Sequence, residues 1–105
     1  MIKKKYSTGG YLPSIADSYI DANKPIYSLS TNLEPQEKFV DKHPTGEIVS
    51  FKAWFSQTGL PPFAVKFNSK IKLPPHLSIV KFDNLEACEV GYNVYFLANN
   101  IIEVK

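Results

Sequence analysis

Apolar and polar residues alternate with a period of two along several short segments of this 105-residue chain. Successive side chains of a β-strand point to opposite faces of a sheet, so this alternation predicts strands with one face in a core. The clearest case is residues 47–56. We predict that its apolar face packs in the core and consists of Val49, Phe51, Ala53 and Phe55. The opposite face consists of Ile48, Ser50, Lys52, Trp54 and Ser56.

The same pattern predicts further strands at residues 25–31, 63–68, 77–83, 86–89, 92–98 and 101–104. In the second of these, Phe63, Val65 and Phe67 share one face, and Ala64 and Lys66 share the other. Turns are expected at Thr45-Gly46 and Asn99-Asn100, and short helical turns at 14–20 and 36–40. Five to seven short strands with Gly and Pro between them favour an all-β barrel or sandwich with minor helix.

The length of the chain fits one domain. We predict a flexible or loosely packed N-terminal arm over residues 1–24 and one β-barrel domain over residues 25–105. Apolar residues make up 44% of the chain, which excludes a wholly disordered protein. The eight prolines argue against long helices, because proline removes a backbone donor and restricts its predecessor.

Charge is distributed unevenly, although the net charge is only +2. Residues 48–82 contain five lysines and no acidic residue, whereas the segments on either side are acidic. Protein surfaces usually mix both signs, so this block suggests a surface for an anionic partner. An alternative is that these lysines simply protect exposed strand edges from aggregation.

An aromatic side chain next to cations on the polar sheet face is typical of single-strand binding. Bases stack on aromatic rings and lysines neutralise phosphates. The candidate nucleic-acid-binding residues are Lys52, Trp54, Lys66, Lys70, Lys72, Lys81, Tyr92 and Tyr95, with Tyr6 and Tyr11 of the arm as further stacking candidates. An alternative is that Trp54 covers a second small core under the arm. All twelve basic residues are Lys, so bidentate reading of guanine is not expected and binding should be independent of sequence.

Catalytic chemistry has little support in the sequence. His43 and His76 are the only histidines, both lie beside prolines in predicted loops, and Cys88 is the only cysteine and is expected to be buried. No metal-ligand cluster, nucleophile motif or phosphate-binding loop is present. We therefore expect a non-enzymatic protein without metal or cofactor. The single thiol and the absence of an apolar leader or membrane span favour the cytoplasm.

The C-terminal part, residues 62–105, resembles a family of small helicase-processivity-factor-like proteins from integrative and conjugative elements or plasmids. The shared pattern is Ala64-Val65-Lys66-Phe67, Leu73-Pro74 with Leu77, Val80-x-Phe82-x-Asn84-Leu85-x-Ala87, and Asn93-Val94-Tyr95-Phe96-x-Ala98-x-x-Ile101. The resemblance implies an oligonucleotide-binding-like Greek-key β-barrel. It also implies a single-stranded DNA-binding accessory protein of a mobile element that supports replication or transfer with a helicase or another replication protein.

The sequence is also compatible with other functions. The ligand could be RNA instead of DNA, and the protein could form a homodimer. One rival is a small non-enzymatic protein-binding module or inhibitor from a phage or plasmid, which acts through an aromatic surface. Another is a structural protein whose exposed strand edges pair between copies.

Overall fold

The described part of the chain is built on one β-sheet, and a short helix precedes the strands in the sequence. The computed structural model describes residues 10–104. Its elements are α1 (Pro13–Tyr19), β1 (Ile26–Ser28), β2 (Glu34–Val40), β3 (His43–Ser56), β4 (Phe63–Phe67), β5 (Ile79–Asp83), β6 (Glu86–Val90), β7 (Asn93–Ala98) and β8 (Asn100–Glu103). The prediction of an all-β protein with minor helix is confirmed.

The strands are arranged in the order β6-β7-β4-β3-β1-β5-β8, and β2 pairs with β3 outside this path. The β4–β7 pair is parallel and the other pairs are antiparallel. Among the described strands β6 and β8 do not pair, so the sheet is open and not a closed barrel.

The connection from β7 to β8 differs from the predicted tight turn. Asn99 alone separates the two strands, and its N–H donates to the Asp83 carbonyl over 2.9 Å. The strands β7 and β8 do not pair with each other. Strand β7 lies between β4 and β6, and β8 pairs with β5. The predicted hairpin turn at Asn99-Asn100 is therefore wrong, because the chain passes here from β7 in one part of the sheet to β8 at its other end.

The core lies on the face that alternation assigned to β3 and β4. Ala53, Phe55, Val65 and Phe67 have no exposed surface. The ring of Phe82 from β5 contacts Phe55 edge-on, with ring centroids 4.9 Å apart. Face assignments for 63–67 and for the inner part of β3 are thus confirmed, and aromatic packing joins β3 to β5 across the curled sheet.

Helix α1 forms close to the predicted segment and packs against the sheet. Pro13 occupies its first turn, where the missing N–H has no intrahelical partner to lose. Ala16 is buried in the core cluster, and Leu12 forms two backbone hydrogen bonds with Ala87 of β6. The described part of the predicted arm therefore contacts β6. Its first nine residues, including Tyr6, lie outside the described part of the chain.

The side chain of Gln57 fixes the chain that follows α1. Its Oε1 accepts from the Asp21 N–H over 2.9 Å, and its Nε2 donates to the carbonyls of Asp21 and Lys24. Gln57 is 3% exposed, so three backbone polar groups depend on one buried side chain.

The hairpin of β2 and β3 corrects three sequence predictions. Residues 36–40 form strand instead of a helical turn, because pairing with β3 overrides their helix-favouring composition. The chain reverses at Asp41-Lys42, where both residues have positive φ as in a two-residue hairpin turn. Thr45-Gly46 lies within β3 and not at a turn. His43, predicted in a loop, is consequently a strand residue.

The prediction that Val49 lies on the core face of β3 is also wrong. Its side chain is 44% exposed. The pairing of β2 with β3 shifts between Gln36 and Glu37, which places an extra β3 residue at this point. Beyond the shift the hairpin extends past the core, so alternation no longer implies burial. Phe51, at the boundary, is half-buried.

Candidate nucleic-acid interface

A groove of about 710 Å³ crosses the polar face of β3 and β4 and continues to β7. We call it the aromatic groove. Its walls include Tyr11, Tyr19, Lys52, Trp54, Pro61, Pro62, Lys66 and Tyr95. Trp54 and Tyr95 are 37% and 48% exposed, so part of each ring is accessible to a ligand.

Two lysines lie side by side within the groove. Lys52 of β3 and Lys66 of β4 are direct cross-strand partners, and Trp54 likewise pairs with Ala64. Like charges in directly opposed positions destabilise a sheet, so the pair needs compensating contacts. Because the side chain of Ala64 is small, it leaves open space beside the indole of Trp54.

Lys52 and Trp54 are both bound by one carboxylate. Glu34 of β2 is the cross-strand partner of Lys52. Its Oε1 lies 3.8 Å from Lys52 Nζ, and its Oε2 accepts from the Trp54 indole N–H over 3.1 Å. The ammonium of Lys52 also lies 5.4 Å from the centroid of the Trp54 ring. Glu34 thus adds an acidic group to the face of the sheet on which β3 and β4 present Lys52 and Lys66.

Lys66 is compensated by a ring instead of an acid. Its Nζ lies 5.6 Å from the centroid of Tyr11, a cation–π distance. Partial burial raises the pKa of the Tyr11 phenol, and the neighbouring Cys88 and Tyr95 raise it further. Tyr11 therefore stays neutral around pH 7 and offers its ring without adding charge.

Tyr19 of α1 joins the groove to Glu89 of β6. The Tyr19 hydroxyl donates to a Glu89 carboxylate oxygen. This hydrogen bond is the main reason that the pKa of the Tyr19 phenol is raised, because it stabilises the protonated phenol. The contact ties α1 to the sheet and adds a second carboxylate near the groove.

The structure divides the eight predicted site residues into two sets. Lys52, Trp54, Lys66 and Tyr95 line the aromatic groove, and Tyr11 lines it with them. The other four predicted residues are exposed and lie outside the lining of the aromatic groove. These are Lys70, Lys72, Lys81 and Tyr92.

Sequence reasoning missed Glu34, Tyr19 and the pair Pro61-Pro62 as residues of the groove or its edge. Glu34 lies next to a segment for which the sequence predicted a helical turn, so its pairing with Lys52 had no local signal. The position of Tyr19 depends on how α1 packs on β6, which is equally non-local.

The remaining candidate groups for chemistry within residues 10–104 are the metal-ligating side chains, Cys88 and His76. No group of three or more His, Cys, Asp or Glu side chains there could hold a metal ion. Cys88 is buried, and the Nδ1 of His76 bonds to the Leu29 carbonyl over 2.8 Å. No helix in this range has the length and apolar character that crossing a membrane requires.

Comparison with protein-family models, curated proteins and solved structures found no match to this chain.

Proposed function

We propose that the aromatic groove binds single-stranded nucleic acid without sequence preference, with DNA as the leading ligand. The observation that carries this proposal is the directly opposed pair Lys52 and Lys66, set among the rings of Trp54, Tyr11 and Tyr95. Adjacent cations destabilise the free sheet, and a polyanion in the groove would relieve their repulsion.

Each part of the groove supplies one contact that a single strand requires. The rings provide stacking surfaces, and each stacked base contributes ~1–3 kcal/mol to binding. The ammonium groups of Lys52 and Lys66 neutralise phosphates as point charges. A duplex keeps its bases stacked on one another, so we expect it to bind more weakly.

The resemblance of residues 62–105 to helicase-processivity-factor-like proteins supports the choice of DNA. It leads us to propose a cytoplasmic accessory protein of a mobile element, with an oligonucleotide-binding-like fold, that acts beside a helicase during replication or transfer. Tyr95 and Lys66 belong both to the shared pattern and to the groove.

Titration of fluorescent oligo-dT and of duplex DNA across a range of salt concentrations tests the proposal. We expect tighter binding of oligo-dT and a log–log salt slope of about −0.7 for each phosphate neutralised. Lys66→Gln should weaken binding and reduce the slope by about 0.7. Lys72→Gln is the matched control, because it removes the same charge outside the groove lining.

No binding of oligo-dT at low salt would overturn the proposal. Equal losses in Lys66→Gln and Lys72→Gln would show that the strand binds by diffuse charge attraction and not in the groove.

A second candidate is a groove for a protein segment. Glu34 and Glu89 lie beside its cations and phenols, which makes the groove less positive than the sequence block suggested. Tyr, Trp and Pro side chains are common in protein-binding surfaces. Binding of a partner protein that barely changes with salt, together with no binding of oligo-dT, would favour this function.

A further inference from the structure

The Glu34 carboxylate makes two contacts of the kind that a phosphate would make. One oxygen accepts from the Trp54 indole N–H at 3.1 Å, and the other lies 3.8 Å from the Lys52 ammonium. A hydrogen-bond donor and a cation that converge on one anionic group define an anion position.

We infer that Glu34 occupies the position of a phosphodiester group of the bound strand, and that the strand displaces it. This inference rests on the proposed function and identifies one phosphate subsite within it. In the bound state a phosphate oxygen accepts from Trp54 Nε1, and the Lys52 ammonium pairs with the phosphate instead of Glu34.

The contacts of Glu34 are of the kind that a ligand can break. The side chains of Lys52 and Glu34 are 31% and 51% exposed, and ion pairs with that exposure are weak because water screens them. Glu34 lies at the first position of β2, a strand that pairs with β3 alone among the described strands. Its side chain can swing to solvent without breaking the sheet.

Displacement of Glu34 also affects the stacking surface. In the free protein the Lys52 ammonium lies over the Trp54 ring. A base that stacks on that face must take the place of the ammonium. Because the Lys52 ammonium lies beside both the anion position and the indole ring, phosphate binding at the Glu34 position and base stacking on Trp54 are coupled through this one side chain.

Glu34 therefore lowers the affinity of the protein for nucleic acid, and it also lowers the salt dependence of that binding. Glu34→Gln keeps the size of the side chain and an acceptor for the indole N–H but removes the competing charge. We expect it to bind oligo-dT about threefold to tenfold more tightly than the wild type at low salt. Its salt slope should be steeper by up to about 0.7, since Lys52 then neutralises a phosphate in full.

Glu103→Gln is the matched control. It produces the same change in net charge on β8, outside the lining of the groove. Melting temperatures of both variants verify folding, and Glu34→Ala repeats the test if the amide introduced by Glu34→Gln perturbs the hairpin. Adding Lys52→Gln to Glu34→Gln should remove most of the gain in affinity, because the gain depends on releasing Lys52.

The outcomes separate the inference from the proposed function. If the wild type binds oligo-dT but Glu34→Gln binds no more tightly than Glu103→Gln, the inference is overturned and the proposed function stands. An undiminished gain in the Lys52→Gln background would likewise overturn it. If neither the wild type nor Glu34→Gln binds oligo-dT, both the proposed function and the inference fall.

Discussion

The two halves of β3 belong to one 14-residue strand but lie in different surroundings. Residues 51–55 pair with β4 on one side. On the other side residues 51–52 pair with β2 and residues 55–56 pair with β1, and the apolar face of this half meets the core. Among the described strands, residues 43–50 pair with β2 alone, and all of them except Ser50 are exposed. Burial in this protein therefore depends on neighbouring strands and not on alternation alone.

The largest effect on stability should come from Phe55 in the inner half. Phe55→Ala removes a fully buried ring that contacts Phe82 and Phe63, and such truncations cost ~3–5 kcal/mol in free energy of unfolding. Chemical denaturation measures the loss. A loss below about 1 kcal/mol would show that the inner half of β3 does not anchor the core.

Gln57, just beyond the inner end of β3, should come next. Gln57→Ala leaves the Asp21 N–H and two carbonyls without their side-chain partner, and unsatisfied buried groups cost ~1–3 kcal/mol each. We expect a total loss near the low end of this range, because water can reach the exposed Asp21 and Lys24. Gln36→Ala, at a half-buried position of β2, serves as the control in the same denaturation experiment.

Trp54 should affect binding more than stability. Its ring is partly exposed on the groove face, so Trp54→Ala should lower the free energy of unfolding by about 1 kcal/mol or less while weakening oligo-dT binding by ~1–3 kcal/mol. Trp54→Phe keeps a stacking ring but loses the indole N–H, so it should lose less affinity than Trp54→Ala. A stability loss as large as that of Phe55→Ala would instead place Trp54 in a second core.

The smallest effect should come from Val49 in the outer half. Val49→Ala truncates an exposed side chain and should change the free energy of unfolding by about 0.5 kcal/mol or less. Hydrogen exchange should show faster opening of amides in residues 43–49 than in residues 51–55. Equal protection of both halves would contradict the division of β3.

Local alternation predicted the parts of the fold in which a strand crosses the core. In β4, Phe63, Val65 and Phe67 are buried while Ala64 and Lys66 are half-buried, as their spacing indicated. The β2–β3 hairpin could not be predicted in this way. Glu, Gln and Lys in β2 favour a helix locally, and the turn at Asp41-Lys42 lacks the Gly or Asn that usually signals it.

The candidate site shows the same limit. The period of two placed Lys52 and Trp54 on one face, and similar reasoning placed Lys66 beside them. Tyr95 reaches the groove through the parallel pairing of β7 with β4, and Glu34 through a hairpin whose register contains bulges. Tyr95 was a candidate because it is aromatic, but its place in the groove, like that of Glu34, depends on long-range pairing, for which a single sequence has no periodic signal.

The most direct test of the aromatic groove as the binding site uses the intrinsic fluorescence of Trp54, the only tryptophan in the chain. Oligo-dT added at low salt should change the Trp54 emission to saturation, because a base stacks on the indole, and added salt should reverse the change. Binding of oligo-dT with unchanged Trp54 emission would contradict the account by placing the strand elsewhere, and so would the absence of any binding.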